Sequence, residues 1–190
     1  MMRVSPLSIS DSYTVSHDRF GDPRGWFQEW FKASQIQPHL SFDFVPAQSN
    51  ISYSDCGVLR GIHYSLAPVG QAKMVTVMAG EIDDYVVDIR VGSPTFGQHE
   101  RIRLNTQTGA SVIIGPGLGH AFHVLSDTAV VCYMLSSEYN PELEHGVNPS
   151  CPELGIPWNP DVPFSVSERD QQMPFTTQQR ENGLLPFFDQ

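Results

Sequence analysis

Fifteen glycines and fifteen prolines cut this 190-residue chain into short pieces, and between the cuts apolar and polar side chains alternate. A period of two is the signature of a strand with one face buried. Ser49–Tyr53, Lys73–Met78, Ile82–Arg90, Ser111–Ile114 and Thr128–Leu135 all read as strands. Turn residues follow them at Asp55-Cys56-Gly57, Ala79-Gly80-Glu81, Gly92-Ser93-Pro94 and Gly115-Pro116-Gly117. Only Trp26–Gln35 reads as helix, and briefly. Many short strands with regular turns predict an all-β sandwich or barrel. With no repeat and no linker, residues 1–190 read as one domain with a polar, Gln-rich tail over 171–190. Its apolar end, Leu184–Phe188, is expected to pack on the body or on a neighbouring subunit.

Composition removes whole classes of function. A formal net charge of −10 argues against nucleic acid, whose phosphates need a basic face. No apolar run approaches the ~18 residues of a membrane span, so no membrane partner is expected. The N-terminus lacks the apolar core of a signal peptide. The three cysteines are an odd number without metal-ligand spacing. Reduced thiols in the cytoplasm and no bound metal are therefore expected.

Against this acidic background one segment stands out. Leu59-Arg60-Gly61-Ile62-His63-Tyr64 and Gln71-Ala72-Lys73 gather a guanidinium, an imidazole and an ammonium, and Lys73 is one of only two lysines. Such local positive charge suits an anionic ligand or a developing oxyanion. His63 is a candidate general base, because imidazole is the side chain suited to proton transfer near neutral pH; the alternative is a hydrogen-bonded interior histidine. Lys73 is a candidate for enolate or phosphate contact; the alternative is a strand-end surface lysine. Tyr133, in the apolar run Ala129–Leu135, either relays a proton or simply packs. His120 and His123, three apart, diverge on a strand and make a poor metal grip. Arg60 and His63 are also three apart. They reach one cavity only if the strand bulges near Gly61.

Longer segments carry a resemblance. Asp22-Pro23-Arg24-Gly25-Trp26-Phe27, Gln48-Ser49-Asn50, Leu59–Tyr64, Gln71-Ala72-Lys73, Val87–Gly97, Gly119-His120-Ala121-Phe122 and Tyr139-Asn140-Pro141 occur in order. The chain thereby resembles the dTDP-4-dehydrorhamnose 3,5-epimerases. The resemblance implies a cupin-like double-stranded β-helix, or jelly roll, with a few short helices and no cofactor. It also implies a homodimer exchanging N-terminal strands, and a dTDP-linked 4-keto-6-deoxyhexose as substrate. His63 would be the base, Asp170 its partner, Tyr133 the acid and Lys73 the enolate contact. Arg24, Arg60 and Arg169 would hold the diphosphate. Glu29, Gln48, Asn50 and Glu144 would touch nucleoside or sugar, and His120 the sugar. Tyr139 and Phe27 would stack on thymine. Inversion of carbons 3 and 5 is the expected reaction; the alternative is a mono-epimerase of a deoxysugar pathway in antibiotic biosynthesis. The chain departs from the family pattern at Met134, often lysine, and over Asn148–Pro152, often a Trp-Asn-Asp element.

Overall fold

The computed structural model of the protein describes residues 2–68 and 70–188. Short strands dominate it. In chain order they are β1 (Met2–Pro6), β2 (Ser12–His17), β3 (Arg19–Asp22), β4 (Gly25–Gln28), β5 (Gln48–Asp55), β6 (Val58–Ser65) and β7 (Lys73–Ala79). They continue as β8 (Glu81–Val87), β9 (His99–Asn105), β10 (Ser111–Ile114), β11 (Gly119–Val124), β12 (Thr128–Leu135), β13 (Glu144–Gly146) and β14 (Ser165–Val166). The α-helices are short: α1 (Ala33–Ile36), α2 (Glu168–Gln171) and α3 (Thr176–Glu181).

Two sheets account for the all-β architecture expected from the strand pattern and fit the jelly roll that the resemblance implies. One runs β1-β2-β10-β7-β12-β5. The other runs β13-β6-β11-β8-β9, with β14 parallel beside β6. Their inner faces meet in an apolar layer of Val75, Val77, Val112 and Val131 from the first sheet and Ile82, Val86, Leu104 and Phe122 from the second. Strand alternation then sets what lies further along the same layer. Lys73 is two residues from Val75, Tyr133 two from Val131, Asp84 two from Val86, and His120 two from Phe122. The space between the sheets therefore changes from apolar to polar along its length, and the polar end holds the chemistry.

The predicted helix over Trp26–Gln35 is corrected. Gly25–Gln28 is strand, paired with β3 as a hairpin, and only Ala33–Ile36 is helical. Gly25, at φ 135°, takes a backbone position that favours glycine at the hairpin turn. Trp26 and Phe27 suit a strand better than a helix. The strand predicted over Ile82–Arg90 ends at Val87. Asp88 and Arg90 leave the ladder for a buried ion pair, Nη2 to Oδ2 at 2.9 Å. The C-terminal apolar stretch packs on the body: Val91 N donates to Pro186 O at 2.8 Å, and Leu185 is buried. The last two residues of the 171–190 tail lie outside the described residues. Among the described residues no helix is long and apolar enough to cross a membrane.

Candidate active site

The irregularity demanded near Gly61 is present. Across β11, His63 pairs with His120 but Arg60 pairs with Phe122, so β6 carries one extra residue. His120 and Phe122 share a face, and the bulge therefore turns Arg60 and His63 to the same side. It also presents the Gly61 N–H to Asp170 Oδ2, at 3.4 Å.

Asp170 arrives by a different route. β14 pairs with the start of β6, anchored by Ser165 N donating to Gly57 O at 2.7 Å. The chain then turns at Ser167, whose hydroxyl accepts from Asp170 N, into α2. Asp170 is thereby set 2.7 Å from His63 Nε2. A buried carboxylate on Nε2 fixes the tautomer, leaving Nδ1 to take up a proton. Burial pushes the Asp170 carboxyl up, but hydrogen bonding and charge from His63, the Gly61 N–H and the Ser167 hydroxyl outweigh it and hold its pKa below 3.8. A depressed carboxylate stabilises the fold above its unfolded pKa, and the contribution fades as pH falls through the folded value. The stability advantage of wild type over Asp170→Asn should therefore hold steady above about pH 5 and shrink below about pH 4. Denaturant unfolding across that range checks it; an advantage independent of pH would show that these contacts do not hold the carboxylate.

The facing sheet supplies the rest. Tyr133 pairs with Asn50 on one side and Val75 on the other, and Leu135 pairs with Lys73 and Gln48. Lys73 is buried. Desolvation lowers its pKa, and the charges of Glu144 and Asp84 offset that only in part. Asp84, fully buried, holds His120 Nε2 at 2.8 Å. His63, Lys73, Tyr133, Asn50, Tyr139, Glu144 and Arg169 line one cavity of roughly 140 Å³ between the sheets, together with Gln71, Leu135 and His145. Gln48 stands just behind, donating to Asn50 Oδ1 at 2.9 Å and accepting from Tyr139 N at 2.8 Å.

Some expected residues lie outside that cavity. Arg60 shares the face of His63, but its guanidinium reaches across to β5 of the facing sheet, Nε to Ser54 Oγ at 3.0 Å. Arg24 sits in the turn of the β3–β4 hairpin and pairs with Asp22. Glu29 is 3.5 Å from Lys32, and Phe27 is exposed on the hairpin. Four contributors were not singled out from sequence. Leu135 follows from alternation with Tyr133, and Asp84 from a carboxylate set in an apolar strand. Gln71 lies within the Gln71-Ala72-Lys73 segment. His145, stacked on Tyr64 at 5.9 Å, sits on a three-residue strand with no periodicity to reveal it. His120 and His123 face opposite sides, as expected, and no metal-holding group of three His, Cys, Asp or Glu residues occurs among the described residues.

A larger cavity of about 600 Å³ is lined by Ser65–Pro68 and Gly70 on one side and by Gly183 and Leu185–Phe187 on the other. Its buried cation, Arg90, is already engaged by Asp88, Asp11 and Ser10, so the charges of Arg90 and Asp11 that line it are spent on each other.

The family model described as dTDP-4-dehydrorhamnose 3,5-epimerase matches residues 6–178. The chain belongs to this family. It is an isomerase by that membership. A dTDP-4-dehydrorhamnose 3,5-epimerase of Streptomyces griseus is 42% identical over 98% of this chain and 93% of its own length. A dTDP-4-dehydrorhamnose 3-epimerase of Streptomyces niveus is 41% identical over 98% of this chain and 90% of its own. The crystal structure of NovW, a 4-keto-6-deoxy sugar epimerase from the novobiocin cluster of Streptomyces spheroides, superposes with a TM-score of 0.94 at 41% identity, covering 99% of this chain and 94% of that one.

Proposed function

We propose that this protein inverts carbons 3 and 5 of a dTDP-linked 4-keto-6-deoxyhexose through an enolate. One observation carries the reading: the His63–Asp170 pair and Tyr133 stand on facing sheets, with Lys73 in the same cavity. The ketone at carbon 4 acidifies the protons on carbons 3 and 5, so the chemistry asks for no metal and no organic cofactor. His63 Nδ1 removes one proton. The Lys73 ammonium steadies the enolate oxygen, and its burial strengthens that field. Tyr133 donates a proton to the opposite face of the carbon, which inverts it. Each acid–base group supplies ~10²–10⁴-fold.

Binding follows the charges. Arg169, next to Asp170, and Arg60 suit the diphosphate. Tyr139, held by Gln48, offers a ring to thymine, while Asn50, Glu144 and His120 surround the sugar. Arg24, Glu29 and Phe27 are away from the cavity of their own chain. We read them as contributions to a second copy's site in a homodimer that exchanges N-terminal strands. Reduced thiols and a nucleotide-sugar substrate fit a cytoplasmic enzyme.

Incubation with dTDP-4-keto-6-deoxyglucose in heavy water tests the reading. Two deuterons, one each at carbons 3 and 5, are expected. Label at carbon 3 alone would establish the second reading, a 3-epimerase, which the 41% identity to the Streptomyces niveus enzyme favours. No label at either carbon would end both.

A further inference from the structure

Leu135 has no evident structural task. It is 4% exposed, yet it belongs to none of the three apolar clusters that build the interior. It lines the candidate cavity instead, and among the ten lining residues it is the only aliphatic one. Its cross-strand neighbours on β12 are Lys73 and Gln48. Along its own strand the same face carries Tyr133, and Ser137 just beyond accepts from Gln71 Nε2 at 3.0 Å. Leu135 is thus an apolar spot in a polar floor, directly beside the ammonium.

The substrate proposed above is asymmetric in a matching way. Carbon 4 carries the oxygen that Lys73 would meet. On one side carbon 3 carries a hydroxyl; on the other carbon 5 carries the methyl of a 6-deoxy sugar. That methyl is the sugar ring's only aliphatic substituent, and it lies two bonds from the carbonyl carbon. A methyl set against polar groups leaves them without hydrogen-bond partners, whereas against Leu135 it buries apolar surface. We propose that Leu135 receives the carbon 6 methyl, fixes which flank of the ketone faces β12, and selects 6-deoxy over 6-hydroxy sugars. This rests on the epimerase reading and adds the sugar's orientation to it.

The test compares solvent-deuterium incorporation into dTDP-4-keto-6-deoxyglucose and its 6-hydroxy counterpart. Wild type should prefer the 6-deoxy sugar by ~10–100-fold in kcat/KM, the range a hydrophobic pocket delivers. Leu135→Asn, with the same branched four-atom side-chain shape, should bring the preference to within about threefold, and Leu135→Met should keep it. If the asparagine variant does not fold, Leu135→Ala carries the comparison and should also narrow the preference. An unchanged ratio in a folded variant would overturn the inference and leave Leu135 as packing. So would a variant that instead loses discrimination between thymine and uracil nucleotides, since Leu135 would then read the base methyl. Wild type that labels neither sugar would defeat the epimerase reading itself, and this inference with it.

Discussion

His63→Ala should lose at least ~10³-fold of solvent exchange at both carbons while binding dTDP within about threefold of wild type. The loss is large because, of the side chains lining the cavity, His63 is the one base held by a buried carboxylate, whereas His145 and Glu144 have no such support among the described residues. Tyr133 is on the facing sheet, and Lys73 as an ammonium carries no free electron pair. His120 is tied to Asp84 on a neighbouring strand. Nucleotide binding should survive, because in this account the diphosphate and thymine meet Arg169 and Tyr139 instead. Asp170→Asn should fall between the two proteins: it keeps the ring's position but removes the charge that stabilises an imidazolium. Proton NMR of exchange beside calorimetry of dTDP binding separates the terms. Near-normal exchange in His63→Ala would remove His63 as the base.

Gly61→Ala should be the most damaging small substitution in this part of the fold. Gly61 lies at φ 126°, where L side chains are strained. An added Cβ would sit 2.6 Å from Ala121 Cα and 2.7 Å from His120 O, both on the strand across the bulge. Backbone strain of ~1–3 kcal/mol and overpacking of ~1–3 kcal/mol act together. A loss of about 3 kcal/mol is expected, lowering Tm by roughly 6–12 °C in a chain of this size. Activity should fall as well, since the bulge sets the angle of His63 and presents the N–H that Asp170 accepts. Denaturant unfolding measures the first effect. A loss under about 1 kcal/mol would mean that β6 shifts to admit the methyl group.

Much of this was legible before any coordinates. The turn residues that bound Thr128–Leu135 and Ser111–Ile114 mark both strands to the residue, and these short apolar runs are largely buried on both faces. The bulge was also legible, from a geometric contradiction: two residues wanted in one cavity at a spacing that a regular strand sends to opposite faces. Trp26–Gln35 failed as a helix because Trp26 and Phe27 stand exposed on a hairpin while Trp30 and Phe31 pack from the extended stretch after it, so their spacing does not reflect one buried helix face. His63 and Asp170 are 107 residues apart, and the parallel pairing of β14 with β6 helps bring them together. Two-residue strands carry too little pattern to announce such pairing. The resemblance named Asp170; local sequence physics alone did not.

The central claim is that proton removal and proton return come from opposite walls. Tyr133→Phe in heavy water tests it most directly. Without the phenol, His63 should still abstract a proton and return a deuteron to the same face. The recovered sugar should therefore carry label with its configuration retained, and the inverted product should fall by ~10²-fold or more. Label accompanied by inversion at the wild-type rate would contradict the account, because the acid would then have to lie elsewhere.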